Sequence, residues 1–278
     1  MERYYIATLN AVSQIGSKSV KKLLKLFGSA ENVWRTESSE LIKAGFNQRA
    51  AENLAEFRNK YPDAVEKLIE FCKVKKVKIC TYFDEDYPPI LKEISAAPVV
   101  FYYRGELKPN AKRLAIVGSR DATDYGLNVA KMLATELTKA GFTIVSGAAN
   151  GIDSTAHKAA GRTVAVLGYG INKIPADKSK MIEEILENGG VVMSEFPPNM
   201  DGSSKTFPAR DRIIAGLSRG VIVVEAGEKS GALIAAKYAV DNFRDVFAVP
   251  KSAGCHKLIR EGAILIFGAE DILKHYKN

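Results

Sequence analysis

The chain has 278 residues, 46% of them hydrophobic, and a mean hydropathy of −0.08, enough apolar content for a full α/β core with a smaller domain beside it. It contains no run of eighteen apolar residues, and Met1-Glu2-Arg3-Tyr4-Tyr5 lacks a secretory core and cleavage site, so membrane insertion is not expected and the cytoplasm is. The formal charge of +8 permits a polyanionic partner without announcing one: residues 1–112 carry 19 basic against 14 acidic side chains, and residues 113–278 carry 21 against 18.

The first hundred residues read as short helices. Ser17-Lys18-Ser19 is placed to cap a helix whose Val20, Leu23, Leu24 and Phe27 fall at i, i+3, i+4 and i+7, and Gly28-Ser29 ends it. With the preceding Ile15-Gly16 turn, and a similar pattern near Ala44-Gly45-Phe46, this resembles half of a helix-hairpin-helix or SAM-like module. Such a turn can present backbone N–H groups to a phosphate or serve as scaffolding; Lys73-Val74-Lys75-Lys76-Val77-Lys78 reads as a solvated face. Tyr87-Pro88-Pro89, Pro98 and Pro109-Asn110 then punctuate an extended connection, and a boundary is expected near residue 110. Residues 1–110 form the helical domain and connection on this reading, and residues 111–278 the second domain.

From Leu114 the texture changes to short apolar strands alternating with amphipathic helices. The strands run Leu114 to Val117, Phe142 to Val145, Thr163 to Leu167, Val191 to Met193, Val221 to Val224 and Val246 to Val249. Six buried strands imply a mainly parallel, doubly wound, Rossmann-like α/β sheet. Between the first two, Ala130, Leu133, Ala134 and Leu137 make a helical stripe that Gly141 closes. Cys72, Cys80 and Cys255 are odd in number and far apart, so three packed, reduced thiols are expected, with no disulfide framework and no zinc site.

Sheets of this kind bind ligands at the carboxyl ends of their strands, so the residues that follow each strand carry the functional reading. Gly118-Ser119-Arg120 follow the first strand, with Tyr125-Gly126 opening the next helix. Glycine admits close backbone approach, a helix start offers free N–H groups, and Arg120 adds a cation, all suited to phosphate. This is not G-x-G-x-x-G, and Ser146-Gly147 ends the second strand where a dinucleotide site would hold an acid. No P-loop motif occurs either, so neither NAD nor ATP is expected and no cofactor is implied. Ser146-Gly147-Ala148-Ala149-Asn150-Gly151-Ile152-Asp153 keeps its backbone open; Asp153 is expected to cap the following helix, and His157 on that helix to be packed. Beyond Ser194-Glu195-Phe196-Pro197, the stretch from Lys205 to Gly216 interleaves cations with an aromatic, the combination that binds single strands. Lys205 and Arg210 are the favoured phosphate contacts there, Phe207 either stacks on a base or packs under its loop, and Arg212 either joins them or pairs with Asp211 or Glu225. Ser230-Gly231 opens another helix facing the same crevice, and Glu225 is expected to accept N–H groups from its surroundings.

Together these strand ends resemble the DprA/Smf family of DNA-processing proteins, over roughly residues 5 to 275. The residues that carry the likeness are Gly118-Ser119-Arg120 with Tyr125-Gly126, the SGAANGID stretch with Ala156-His157, Ala165 to Gly168, Ser194-Glu195, Phe207-Pro208-Ala209-Arg210 and Arg212 through Ser218. Val224-Glu225-Ala226 with Ser230-Gly231, Val246 through Pro250, Leu258 through Ala263, Asp86-Tyr87-Pro88 and Arg104-Gly105 complete it. The resemblance implies a homodimer, joined through the Rossmann-like domain, that is not an enzyme. It would coat incoming single-stranded DNA during natural transformation and competence and help load the RecA recombinase for homologous recombination. Its phosphate pocket, carried over residue by residue, would use Gly118, Ser119, Arg120, Ser146, Gly147, Lys205, Phe207, Arg210, Ser230 and Gly231.

Some positions depart from the family pattern. Asn150 stands where many members have Arg and Asp211 where Asn is usual, which implies weaker affinity for DNA. Ile174-Pro175 replaces Tyr-Pro, Lys251 follows Val249-Pro250 in place of Gly, and the loop before Leu258 looks short. No winged-helix-like domain is expected after Asn278. The rival reading is an enzyme, a LOG-type nucleotide phosphoribohydrolase on a related fold, with Asp153, His157, Glu195 and Glu225 as its acids and bases; its Pro-Gly-Gly-x-Gly-Thr signature is absent.

Overall fold

A computed structural model describes residues 1–277. Six helices come first: α1 (Glu2–Asn10), α2 (Ser17–Phe27), α3 (Ala30–Arg35), α4 (Ser38–Lys43), α5 (Gln48–Lys60) and α6 (Ala64–Val74). The sheet region follows as β1 (Lys78–Thr81), α7 (Pro89–Lys92), β2 (Val100–Gly105), β3 (Arg113–Val117), α8 (Asp124–Lys139), β4 (Thr143–Ser146) and α9 (Ile152–Ala159). It continues through β5 (Thr163–Val166), α10 (Ala176–Glu187), β6 (Val191–Ser194), α11 (Thr206–Gly216), β7 (Gly220–Val223) and α12 (Ala232–Asp241). The chain closes with β8 (Asp245–Ala248), α13 (Ala253–Arg260), β9 (Ile264–Leu265) and α14 (Ala269–His275).

The strands form one sheet in the order β1-β2-β6-β5-β4-β3-β7-β8-β9, parallel except where β2 pairs antiparallel with β1 and with β6. The chain thus winds outward from β3 through β4, β5 and β6, then returns to place β7 on β3's other side. That reversal opens a crevice above the carboxyl ends of β3 and β7, where loops leave toward opposite faces. Both faces are covered, which is why the inner strands are apolar throughout: Ala115 and Val117 pack under α11 and α12, Leu114 and Ile116 under α8 and α9.

The six expected strands are present, and so are three more. β1 and β2 lie in the segment read from its prolines as an extended connection. Their Ile79, Cys80, Val100, Phe101 and Tyr102 are buried, and Tyr102 aligns with Ser194 of β6. The N-terminal helices pack against β2, β6 and α10 in one continuous apolar cluster. Ser17 does not cap α2; Gly16 holds that position, and the Ser17 Oγ accepts the Val99 N–H at 3.0 Å, tying the helix to the approach to β2. α8 follows its sequence closely, with Thr123 as cap, the stripe from Ala130 to Leu137 buried, and Gly141 at φ +87° where the chain turns into β4. The fully buried Arg113 was not singled out from sequence. Its guanidinium donates to the carbonyls of Lys108 and Pro109, the latter at 3.1 Å, and pins the chain as it enters β3. All three cysteines are free and buried.

Candidate nucleic-acid interface

Three loops meet above β3, β4 and β7. The loop after β3 is clamped from both sides: the Ser119 N–H donates to the Glu225 carbonyl at 2.7 Å, and the Ser119 carbonyl accepts the Ile152 N–H at 3.1 Å. A side chain at Gly118 would meet Ile152 Cγ1 at 2.5 Å, so only glycine lets α9 approach this closely. Gly151, at φ +71°, turns the second loop into α9 directly against the Ser119 and Arg120 carbonyls. Arg120 is left exposed, its guanidinium 5.6 Å from the centre of the Phe207 ring. That ring is half-buried against Gly168 and Gly202, where added Cβ atoms would stand 2.5 and 3.0 Å from it. Lys205, two residues earlier, is exposed at the start of α11. Neither Arg120 nor Lys205 has a carboxylate salt-bridge partner among the described residues, and both are exposed.

Beneath this rim lies a buried polar layer. Ser146 is fully buried and donates to the Ile116 carbonyl at 2.7 Å; Gly147 is buried as well. Arg210, read from sequence as a phosphate contact, points inward. It is 6% exposed, it donates to the carbonyls of Gly147 and Val166, and its Nε lies 2.9 Å from Asp211. Asp153 does not cap its own helix, since Gly151 is the cap; its carboxylate instead accepts the Gly147 N–H at 3.1 Å and the Ala149 N–H at 3.4 Å. Burial raises the Asp153 carboxyl above its ordinary range, against the pull of Arg210 and the loop amides. Burial likewise pushes Asp211 up to about 6, opposed by Arg210 and reinforced by Asp153. His157 is packed, as its position suggested: its Nδ1 lies 2.7 Å from Thr163 Oγ1, and burial, then Arg210, push it down to about 3, so the ring is neutral. The layer ties the SGAANGID loop to the buried Arg210 and Asp153 beneath it.

Helix starts are less available than the sequence suggested. Glu225 accepts the Thr123 N–H at 3.2 Å and its hydroxyl at 2.7 Å, setting a carboxylate at the amino end of α8. Lys205 holds the cap position of α11, and Ser203 Oγ accepts the Thr206 N–H, the first of the helix, at 3.2 Å. Gly231 is exposed and Ser230 half-buried, and together they open α12 toward the crevice. Arg212 pairs with Glu195 rather than with Asp211 or Glu225, and both lie below the rim.

Two departures acquire a geometry. The Asn150 side-chain oxygen accepts the amine of Lys178 from the first turn of α10, which brings a cation to the loop where the sequence lacks one. Lys251 stands 5.2 Å over the exposed ring of Tyr125, a second cation–aromatic pair on the far side of β3 from Phe207. Tyr125 was noted as part of a helix start and not as a ring; its place just beyond the first strand was the signal.

The chain matches the family described as DNA recombination-mediator protein A over residues 78–277. It is 38% identical to protein Smf of Synechocystis sp., over 98% of this chain and 72% of that one. It is 36% identical to the DNA processing protein DprA of Streptococcus pneumoniae, over 92% and 93%. The X-ray structure of that DprA superposes with a TM-score of 0.82 at 34% identity, covering 99% of this chain and 98% of the other. DprA of Helicobacter pylori, whose structure concerns its single-stranded DNA binding mode, superposes with a TM-score of 0.65 at 29% identity, covering 72% and 95%.

Proposed function

This chain belongs to the DNA recombination-mediator protein A family, the DprA and Smf proteins, and from that premise we propose that it binds single-stranded DNA across the carboxyl ends of its central strands. One observation carries the reading: Arg120 and Lys205 are both exposed without a carboxylate partner among the described residues, and the Arg120 guanidinium stands 5.6 Å from the centre of the Phe207 ring. Single strands are held in this way, with cations on the phosphates and a base on an aromatic face, stacking being worth about 1–3 kcal/mol per base. Gly118, Ser119, Ser230 and Gly231 supply backbone and hydroxyl groups to the same crevice. Ser146, Gly147 and Arg210 serve it from below by fixing the loop.

The protein coats incoming DNA during natural transformation, acts as a homodimer through residues 111–278, and hands the strand to the RecA recombinase without itself making or breaking covalent bonds. Residues 1–110 contribute the helical layer and the strands β1 and β2 at one margin of the sheet. The nucleotide-cleaving alternative is disfavoured by the engagements of its acids and bases: Asp153 with loop amides, His157 with Thr163, Glu195 with Arg212, Glu225 with Thr123. Equilibrium binding of the full chain to fluorescent oligo-dT and to duplex of equal length, across several salt concentrations, tests the reading. Tight, salt-dependent binding to the single strand alone is expected; no binding at low salt sinks it.

A further inference from the structure

Away from the crevice, α2 carries four lysines and no acid, and Lys18, Lys21 and Lys25 share one face at i, i+3 and i+7. None of the three, nor Lys92 of α7 nearby, has a carboxylate partner among the described residues. The Lys21 amine sits 3.3 Å over the Tyr82 ring, and Lys92 approaches the same ring from 5.3 Å, so two cations share one aromatic ring. Phe83 beside it is 52% exposed. Burial, and after it the neighbouring Lys92, lowers the Lys21 amine from its ordinary value. The acids that line the same face are engaged elsewhere: Asp84 by Arg3 at 3.6 Å and the Thr81 N–H at 2.8 Å, Glu2 by the Ala30 N–H at 2.6 Å. Unpaired cations packed this closely repel one another, and a polyanion relieves that repulsion.

This face lies on the way out of the crevice. Lys18 and Lys21 line a groove of about 600 Å³ together with Phe196, Pro197 and Met200. The same loop continues to Gly202, which packs on the Phe207 ring, and then to Lys205. Crevice and groove are therefore two sides of one loop.

We propose that the lysine face of α2, with Tyr82 and Phe83, is a second single-stranded DNA contact, onto which a strand seated at Arg120 and Phe207 continues across the 196–205 loop. The proposal rests on the single-strand reading above and lengthens the path per protomer. A strand fits better than an acidic protein surface, because the exposed Phe83 ring beside the lysines gives a base somewhere to stack.

The test is fluorescence anisotropy of the full chain with oligo-dT of increasing length, at several salt concentrations. The wild type is compared with Lys18→Gln/Lys25→Gln, which changes only exposed side chains, and with Lys18→Gln/Lys21→Gln/Lys25→Gln. Short oligonucleotides that fill the crevice should bind all three alike. For longer ones, the affinity gained with length should disappear in the variants. The slope of log K against log salt should become shallower by about 1.4 in the double variant and about 2 in the triple, at roughly 0.7 per phosphate contact. Wild-type affinities and slopes at every length, in variants whose melting is unchanged, would overturn the proposal and leave the face to an acidic protein. Failure of the wild type to bind any oligo-dT would overturn the crevice reading itself, and this proposal with it.

Discussion

Asp211 offers a quantitative check on the buried layer beneath the crevice. Its acid is pushed from 3.8 to about 6, chiefly by burial, while Arg210 pulls the other way and Asp153 adds to the rise. The folded protein therefore keeps this proton up to about pH 6, whereas the unfolded chain releases it near pH 4. The stability that results is whole below about pH 4 and is lost as pH rises through about 6. The gap corresponds to about 3 kcal/mol by linkage. Asp211→Asn keeps the shape and removes the titration. Urea unfolding of both proteins between pH 4 and 7.5 should show the Asn variant gaining on the wild type by about 3 kcal/mol as pH rises. The pull of Arg210 on the ionised carboxylate is already contained in the shift and adds no further pH dependence. His157, held neutral in the fold, sheds stability below about pH 6.5 in both proteins and cancels in the difference. A difference that stays constant with pH, or that grows in the opposite direction, would refute the assignment of a buried, proton-holding Asp211.

Other substitutions read the rim. Arg120→Ala should weaken oligo-dT binding and make the salt slope shallower by about 0.7 without altering thermal unfolding; an unchanged slope would remove Arg120 from the phosphate path. Tyr125→Ala should cost about 1–3 kcal/mol of oligo-dT affinity by removing the ring beneath Lys251, and unaltered titrations would place the strand elsewhere. Gly151→Ala forces a side chain into φ +71° and against the Ser119 and Arg120 carbonyls, so chemical denaturation should register a loss of at least about 2 kcal/mol. Native-like stability there would mean that the loop adjusts freely.

The inner strands and the stripe of α8 were legible because both periods stand in the sequence and both faces of the sheet are covered. β1 and β2 were not, since the prolines around them dominated the reading; the run Val99 to Tyr103, rich in β-branched and aromatic residues, was the signal that outweighs them. Arg210 and Arg120 look alike in sequence yet face opposite ways. The difference lies in the helix: Arg210 is a turn inside α11 over the Gly147 carbonyl, while Arg120 is on a loop tip. Nothing local to Arg212 announces Glu195 as its partner, since that pairing depends on how α11 returns across β6. Glu225 at the start of α8 was anticipated as an acceptor of N–H groups, but which ones depends on the pairing of β7 with β3.

The antiparallel seating of β2 on β6 also orders events in time. As the chain leaves the ribosome, Val100-Phe101-Tyr102-Tyr103 emerges about ninety residues before Val191–Ser194, the strand it must flank. Until then a short, aromatic, uncharged ribbon has only β1 beside it and one edge open, which is the kind of surface that other nascent chains can capture. β2 is thus closed in only after three further strands, β3, β4 and β5, have been made and β6 follows them, and the refolding yield of the protein should fall with concentration more steeply than its size alone suggests.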